Sequence, residues 1–171
     1  MLTQLLSIVR SARPTMTLMP SAIVEAIFLS EGSIGNAENV ARQLGLPNRF
    51  KLARMLKEQG LPPLHRLAEW ALVESWVLAA ERRGVSLCHI AFRCRRHPSA
   101  CYRLVKEVTG LSWEQVREHG SRWLHGQFSI QFRSLGQHLT GQLPSKQVLR
   151  GRRVVNRKGA HPRVVQGSAQ R

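Results

Sequence analysis

Aspartate is absent from this 171-residue chain: all ten acidic residues are glutamates, set against 26 lysines and arginines. That absence excludes a Ser-His-Asp triad. The glutamates fall on the expected solvated faces of helices, and no Gly-Lys-Ser/Thr loop is present to cradle a phosphate. An enzyme is therefore the last reading, and no cofactor is expected. No apolar run approaches the ~20 residues of a membrane span. Met1–Val9 is too short for a signal peptide and lacks its leading positive charge. These absences argue for a cytoplasmic protein with its three cysteines reduced. No two of those cysteines have Cys-x-x-Cys spacing, so Cys88, His89, Cys94, His97 and Cys101 are not read as a metal site. Cys94, among Arg93, Arg95 and Arg96, has the surroundings of a reactive thiol, and a redox switch is kept as a minority reading. Aromatics are also few: one tyrosine and five phenylalanines, assigned mostly to core positions, offer few platforms for RNA bases. Trp70, Trp76, Trp113 and Trp123 have apolar neighbours at helical spacing and read as core.

What the chain has in abundance is positive charge. The formal net charge is +16 and the sequence pI about 11.6. Such a surplus points to a polyanionic partner, with nucleic acid ahead of an anionic membrane. From His119 onward ten basic residues meet no acid, so most of the excess lies in the C-terminal part.

The apolar pattern is helical throughout. His65–Arg83 is apolar on nearly every side, preceded by Pro62-Pro63 and ended by Gly84, and such a helix must be buried from more than one direction. It is expected to be a spacer that both flanking units pack against. Before it, Asn36 caps a helix carrying Ala37, Val40, Ala41 and Leu44; Gly45 stops it, and Leu46-Pro47-Asn48 turn into a second helix, Arg49–Gln59. In that second helix Phe50 or Leu52 faces inward with Met55 and Leu56. After the spacer, Ser86 caps LCHIAFRC, Arg95-Arg96-His97 turn the chain, and Pro98 opens a helix with Cys101, Leu104, Val105 and Val108 inward. Ser112–Gln115 is a capping box for a closing helix with Trp113, Val116 and Trp123. The layout of short helix, turn, basic helix and glycine thus repeats at roughly 50 residues. At the N-terminus Leu2, Leu5, Leu6 and Val9 form a weak amphipathic segment expected to fray, and Ser21 is expected to cap a helix that closes the first unit's core.

Two helices across a short turn, the second basic, form a helix-turn-helix pattern. A recognition helix needs an apolar stripe inside and small, polar or cationic residues outside, with phosphate contacts setting register and two or three side chains reaching base edges. In the first unit the candidates are Asn48, Arg49, Phe50, Lys51 and Arg54. In the second they are Arg96, His97, Ser99, Ala100, Tyr102 and Arg103, with Lys106 on phosphate.

These same residues resemble a known family. RLAEWALVESWVLAAERRGVSLCHIAFRC followed by ACYRLVKEVTGLSWEQVRE is similar to the DNA-binding domain of AraC/XylS-type transcription regulators. The stretches correspond to that family's linker helix, its "I..IA" motif entry, its "F.R.FK...G.SP" recognition helix and its closing helix, and the resemblance covers Asn36–Trp123, about half the chain. Cys94-Arg95 stand where the family has Gly-Phe, and Cys101 and Val105 replace the recognition-helix aromatics. The first motif carries one extra residue in its turn and one fewer before Gly60. The family's ligand-sensing β-domain has no strand pattern here. The resemblance implies a bacterial, nucleoid-associated regulator that binds one asymmetric site on double-stranded DNA as a monomer, acts as an activator and touches RNA polymerase.

The expected fold is all-α: two helix-turn-helix subdomains joined by a central linker helix, with a flexible basic C-terminal tail. The expected divisions are 1–33 accessory helices, 34–63 first unit, 64–84 linker helix, 85–133 second unit with closing helix, and 134–171 tail. Apolar periodicity fades beyond about Gln131, and the tail's Gly, Gln and Arg bury too little to offset ordering entropy. Arg152 and Arg153, within RGRRVVNRK, are candidates for phosphate contact. The expected function is sequence-specific binding of double-stranded DNA to regulate transcription. The alternative is an architectural or replication/recombination accessory protein with little sequence preference; a ribosome-associated or other RNA-binding protein ranks third. No membrane partner is expected. Met1–Phe28 is the candidate segment for a dimer.

Overall fold

The computed structural model describes residues 4–140, with side chains through Ser134. Eight helices and no strand occur among the described residues: α1 Gln4–Ala12, α2 Leu18–Leu29, α3 Ala37–Gln43, α4 Arg49–Glu58, α5 Leu64–Arg83, α6 Leu87–Arg93, α7 Pro98–Thr109 and α8 Trp113–Thr140. The fold is all-α. None of these helices is long and apolar enough to cross a membrane.

The central helix α5 is buried on several sides at once, through Leu67, Trp70, Ala71, Val73, Trp76 and Val77. Its extensive neighbours are α8, α2, α7 and α6. The two flanking helical pairs meet α5 to different extents. Helices α3 and α4 pack most extensively on each other, and join the common core through Val40, Ala41, Leu52 and Leu56. Helix α2 and the distal half of α8 also cover α5, the latter through Phe128 on Trp70 and His125 on Glu74.

Helix α8 runs further than expected. The chain bends within α8 at Gly120, where Glu81 Oε1 of α5 accepts a hydrogen bond from Ser121 N at 2.6 Å, and the helix then continues to Thr140. Leu124, Phe128 and Phe132, spaced four apart, are buried, while Trp123 is only half-buried and stacks on His119. The stripe was obscured in sequence because one apolar residue per turn lies among Gln, Ser, His and Arg. Residues 134–140 therefore belong to the helix rather than to a tail; the rest of the predicted tail, with Arg152 and Arg153, lies outside the described residues.

Covering this stripe is the work of α1. Leu5, Leu6 and Val9 are fully buried, and α1 packs along α8. Each such side chain contributes about 1.5–3 kcal/mol, so the segment expected to fray is part of the core, and its apolar face is occupied within the chain. Helix α2 begins at Leu18, three residues before the expected cap, with Pro20 tolerated in its first turn. Phe28 of α2 meets Phe128 edge-on at 6.2 Å, and Trp70 of α5 meets it at 5.3 Å, so α2, α5 and α8 converge on one ring. The accessory helices thus cover α5 and α8 rather than closing the first unit alone. The connection from α2 passes α5 so closely that a Cβ on Gly32 would overlap the carbonyl oxygen of Ala68.

One glutamate departs from the expected solvated faces. Glu74 on α5 is 1% exposed, and His125 Nε2 donates to its Oε1 at 2.9 Å. A buried carboxylate is tolerable when so partnered and costly when orphaned. His125→Ala should lower unfolding stability by about 3 kcal/mol, whereas Glu74→Leu with His125→Leu should be closer to neutral; urea denaturation midpoints measure both. Phe132→Ala should cost about 3–5 kcal/mol by the same assay.

Candidate nucleic-acid interface

The pairs α3–α4 and α6–α7 are built to one plan. Helix α3 starts at Ala37 and α6 at Leu87, fifty positions on, and each is capped by the residue before it. Asn36 Oδ1 accepts from Asn39 N at 2.8 Å and Ser86 Oγ from His89 N at 3.2 Å. Val40 and Ala41 recur as Ile90 and Ala91, buried in both. The helix ends match bond for bond: Leu46 N donates to Ala41 O at 2.9 Å, and Arg96 N to Ala91 O at 2.9 Å. Pro47 is the extra residue of the first turn, so α4 starts at Arg49 and α7 at Pro98, with Leu52 and Leu56 answered by Cys101 and Val105. The left-handed glycines Gly60 and Gly110 close the pairs, again fifty apart.

Between α6 and α7 the left-handed residue is Arg95, at φ 53°, where the first pair has Gly45 at φ 69°. A side chain at such a φ costs about 1–2 kcal/mol relative to the right-handed form.

Both second helices are held at their C-terminal ends by an arginine from elsewhere. Arg13 Nη2 donates to Gly60 O at 3.3 Å, just beyond α4. Arg66 Nη2 donates to Glu107 O at 3.2 Å and Val108 O at 3.5 Å in α7. Guanidinium at a helix C-terminus satisfies orphan carbonyls and complements the negative end of the helix dipole. Gln59 Oε1 also accepts from Thr17 N at 3.2 Å. The anchored ends leave the positive N-terminal ends at the surface.

The candidates on those surfaces are exposed, with one exception. Asn48, Arg49, Phe50, Lys51 and Arg54 all face solvent. Leu52 is the inward residue and Phe50 is 70% exposed, with the Arg49 guanidinium 5.1 Å above its ring. Asn48 Oδ1 is engaged as the α4 cap, accepting from Lys51 N at 3.0 Å, and Arg54 pairs with Glu58 at 2.8 Å. In the second pair Arg96, His97, Ser99, Ala100, Arg103 and Lys106 are exposed. His97 caps α7, its Nδ1 accepting from Ser99 N at 3.3 Å and lying 2.8 Å from Ser99 Oγ. Tyr102 is the exception: it is half-buried, with its hydroxyl 3.7 Å from Cys88 Sγ, which fastens α7 to α6. That hydrogen bond pushes the phenol pKa up, aided by burial. Tyr102 is thus less accessible than the other candidates of this pair.

Sequence reasoning passed over Arg95, although the repeat aligning it with Gly45 was a signal. It also passed over Phe92, which is 71% exposed on α6 rather than in the core. Two electrostatic layouts result. In the first pair the turn is uncharged and the cations Arg49, Lys51, Arg54 and Lys57 ride on α4. In the second, Arg93, Arg95 and Arg96 sit in and beside the turn, and α7 carries its first cation at Arg103. Among the described residues no three His, Cys, Asp or Glu side chains are grouped to hold a metal ion.

No family model matches this chain, and neither does any curated protein or solved structure.

The thiols differ in access. Cys94 is exposed, Cys88 half-buried and Cys101 buried, and burial pushes the Cys101 thiol pKa up. Iodoacetamide labelling followed by peptide mass spectrometry should modify Cys94 first and Cys101 only on unfolding. Equal labelling of Cys94 and Cys101 in the folded protein would contradict this packing of α7.

Proposed function

We propose that the protein is a sequence-specific double-stranded DNA-binding transcription regulator of AraC/XylS type. In this reading α3–α4 and α6–α7 are helix-turn-helix units, α5 is their linker, and α4 and α7 enter successive major-groove segments. The observation that carries it is the repeated pair geometry, with each second helix anchored at its C-terminal end and exposing a cationic or small-polar N-terminal face. Ser99, Ala100 and Arg103 are the base-reading set of α7, with Arg96 and Lys106 on phosphates. Arg49, Lys51 and Arg54 serve the same roles on α4, and Arg152 and Arg153 add phosphate affinity. The protein works as a monomer in the bacterial cytoplasm, on the nucleoid. It is not an enzyme, and its second partner is RNA polymerase, as the resemblance implies.

A second reading, an architectural DNA-binding protein, is favoured by the acid-free basic stretch beyond His119. Selection of sites from random duplex DNA by the full-length protein at near-physiological salt separates the two. The regulator should enrich an asymmetric site of two boxes about one helical turn (~10 bp) apart. Arg103→Ala should weaken that complex by about 1–3 kcal/mol, with relaxed preference in one box. An absence of enrichment, with affinity lost in the Arg152→Ala/Arg153→Ala variant and untouched by Arg103→Ala, would establish the architectural reading instead.

A further inference from the structure

We propose that Arg95 is a DNA-backbone contact held in a strained conformation, and that it does for the second helical pair what the helix-borne cations do for the first. The inference rests on the DNA-binding reading above and deepens it. Four observations converge on this residue. Its backbone lies in the left-handed region, at φ 53°, where the matching residue of the first pair is Gly45. The surrounding hydrogen bonds are the same in both turns, Arg95 N donating to Phe92 O at 3.1 Å as Gly45 N does to Arg42 O at 3.1 Å. Glycine would therefore fill the position without strain. Arg95 is also exposed, and no side-chain hydrogen bond or ion pair within the described residues engages its guanidinium.

A residue that strains the turn and finds no compensating contact in its own chain points outward for its use. The charge layout says what that use is. Helix α4 opens with Arg49-Phe50-Lys51 and α7 with Pro98-Ser99-Ala100, so the second pair lacks cations where the first has them. Arg95 stands in the turn just before α7, next to Arg96, so its charge is delivered to the same end of the helix from outside it. A guanidinium there matches a phosphodiester oxygen, which accepts charge-assisted hydrogen bonds. The contact is sequence-independent and sets the position of α7 over the base edges.

The test compares full-length protein with Arg95→Gly and Arg95→Lys in thermal unfolding and in titration of a mixed-sequence DNA duplex across a salt series. Arg95→Gly should raise Tm by about 2–4 °C while weakening duplex binding roughly three- to tenfold and reducing the salt slope by about 0.9. Arg95→Lys, which keeps both charge and strain, should keep the wild-type Tm and salt slope. Opposite signs for stability and binding in one variant are what a merely structural residue would not give. If Arg95→Gly binds with wild-type affinity and slope, or if its Tm does not rise, the inference is overturned while DNA binding stands. If wild-type protein binds no duplex at all, the functional reading fails first and this inference falls with it.

Discussion

The structure depends on the burial of α5. A twenty-residue helix with ten buried residues, among them two tryptophans and a carboxylate, is unstable alone in water and must be covered on several sides. Much of the fold answers that requirement. Helices α6 and α7 cover one part, α2 and α8 another, and α1 seals the apolar stripe that α8 would otherwise leave open. Phe128, touched by Phe28, Trp70 and Phe132, is where these layers meet. The Glu74–His125 bond adds a polar fastening between α5 and α8, in a place where misalignment would strand a charge.

Against this frame the two helical pairs are attached differently. The α6–α7 pair shares broad contact with α5, and Arg66 fastens its far end. The α3–α4 pair is largely self-contained and reaches the body through a few buried side chains, the Arg13 and Thr17 hydrogen bonds, and the Leu61-Pro62 connection. Two copies of one geometry thus have unequal support and unequal charge placement: α4 carries its cations on the helix, and the second pair places most of them before it. In the DNA-binding reading, this makes a tandem reader inherently asymmetric, suited to one oriented site rather than a palindrome. Arg13 also rests over the Phe132 ring at 5.2 Å, so the clamp on α4 depends on the distal part of α8.

Local signals were legible where they are local. The Asn36 and Ser86 caps, the Ser112–Gln115 box and the stops at Gly45, Gly60, Gly84 and Gly110 place most helix ends, because capping chemistry is decided within a few residues. The outward position of most candidate side chains follows from the 3.6-residue period. Phe50 and Leu52 could not be ranked by period alone, since both flank the buried stripe. Tyr102 looked free until its hydroxyl met Cys88 from another helix. Arg95 reads as one more surface cation until its backbone shows it standing in a glycine's place.

The sequence by itself determined that the chain is helical, that α5 must be buried, that two similar helical pairs flank it and that the surface is strongly basic. Each of these follows from periodicity, capping and charge, which need no knowledge of distant partners. Only the tertiary structure decided that α1 is core, that α8 continues to Thr140, that Glu74 is buried against His125 and that Arg13 and Arg66 hold the ends of α4 and α7. Those outcomes join residues forty or more positions apart, from His125 to Glu74 and from Gly60 to Arg13. A thin stripe such as Leu124–Phe128–Phe132 gains its meaning only from the helix that covers it.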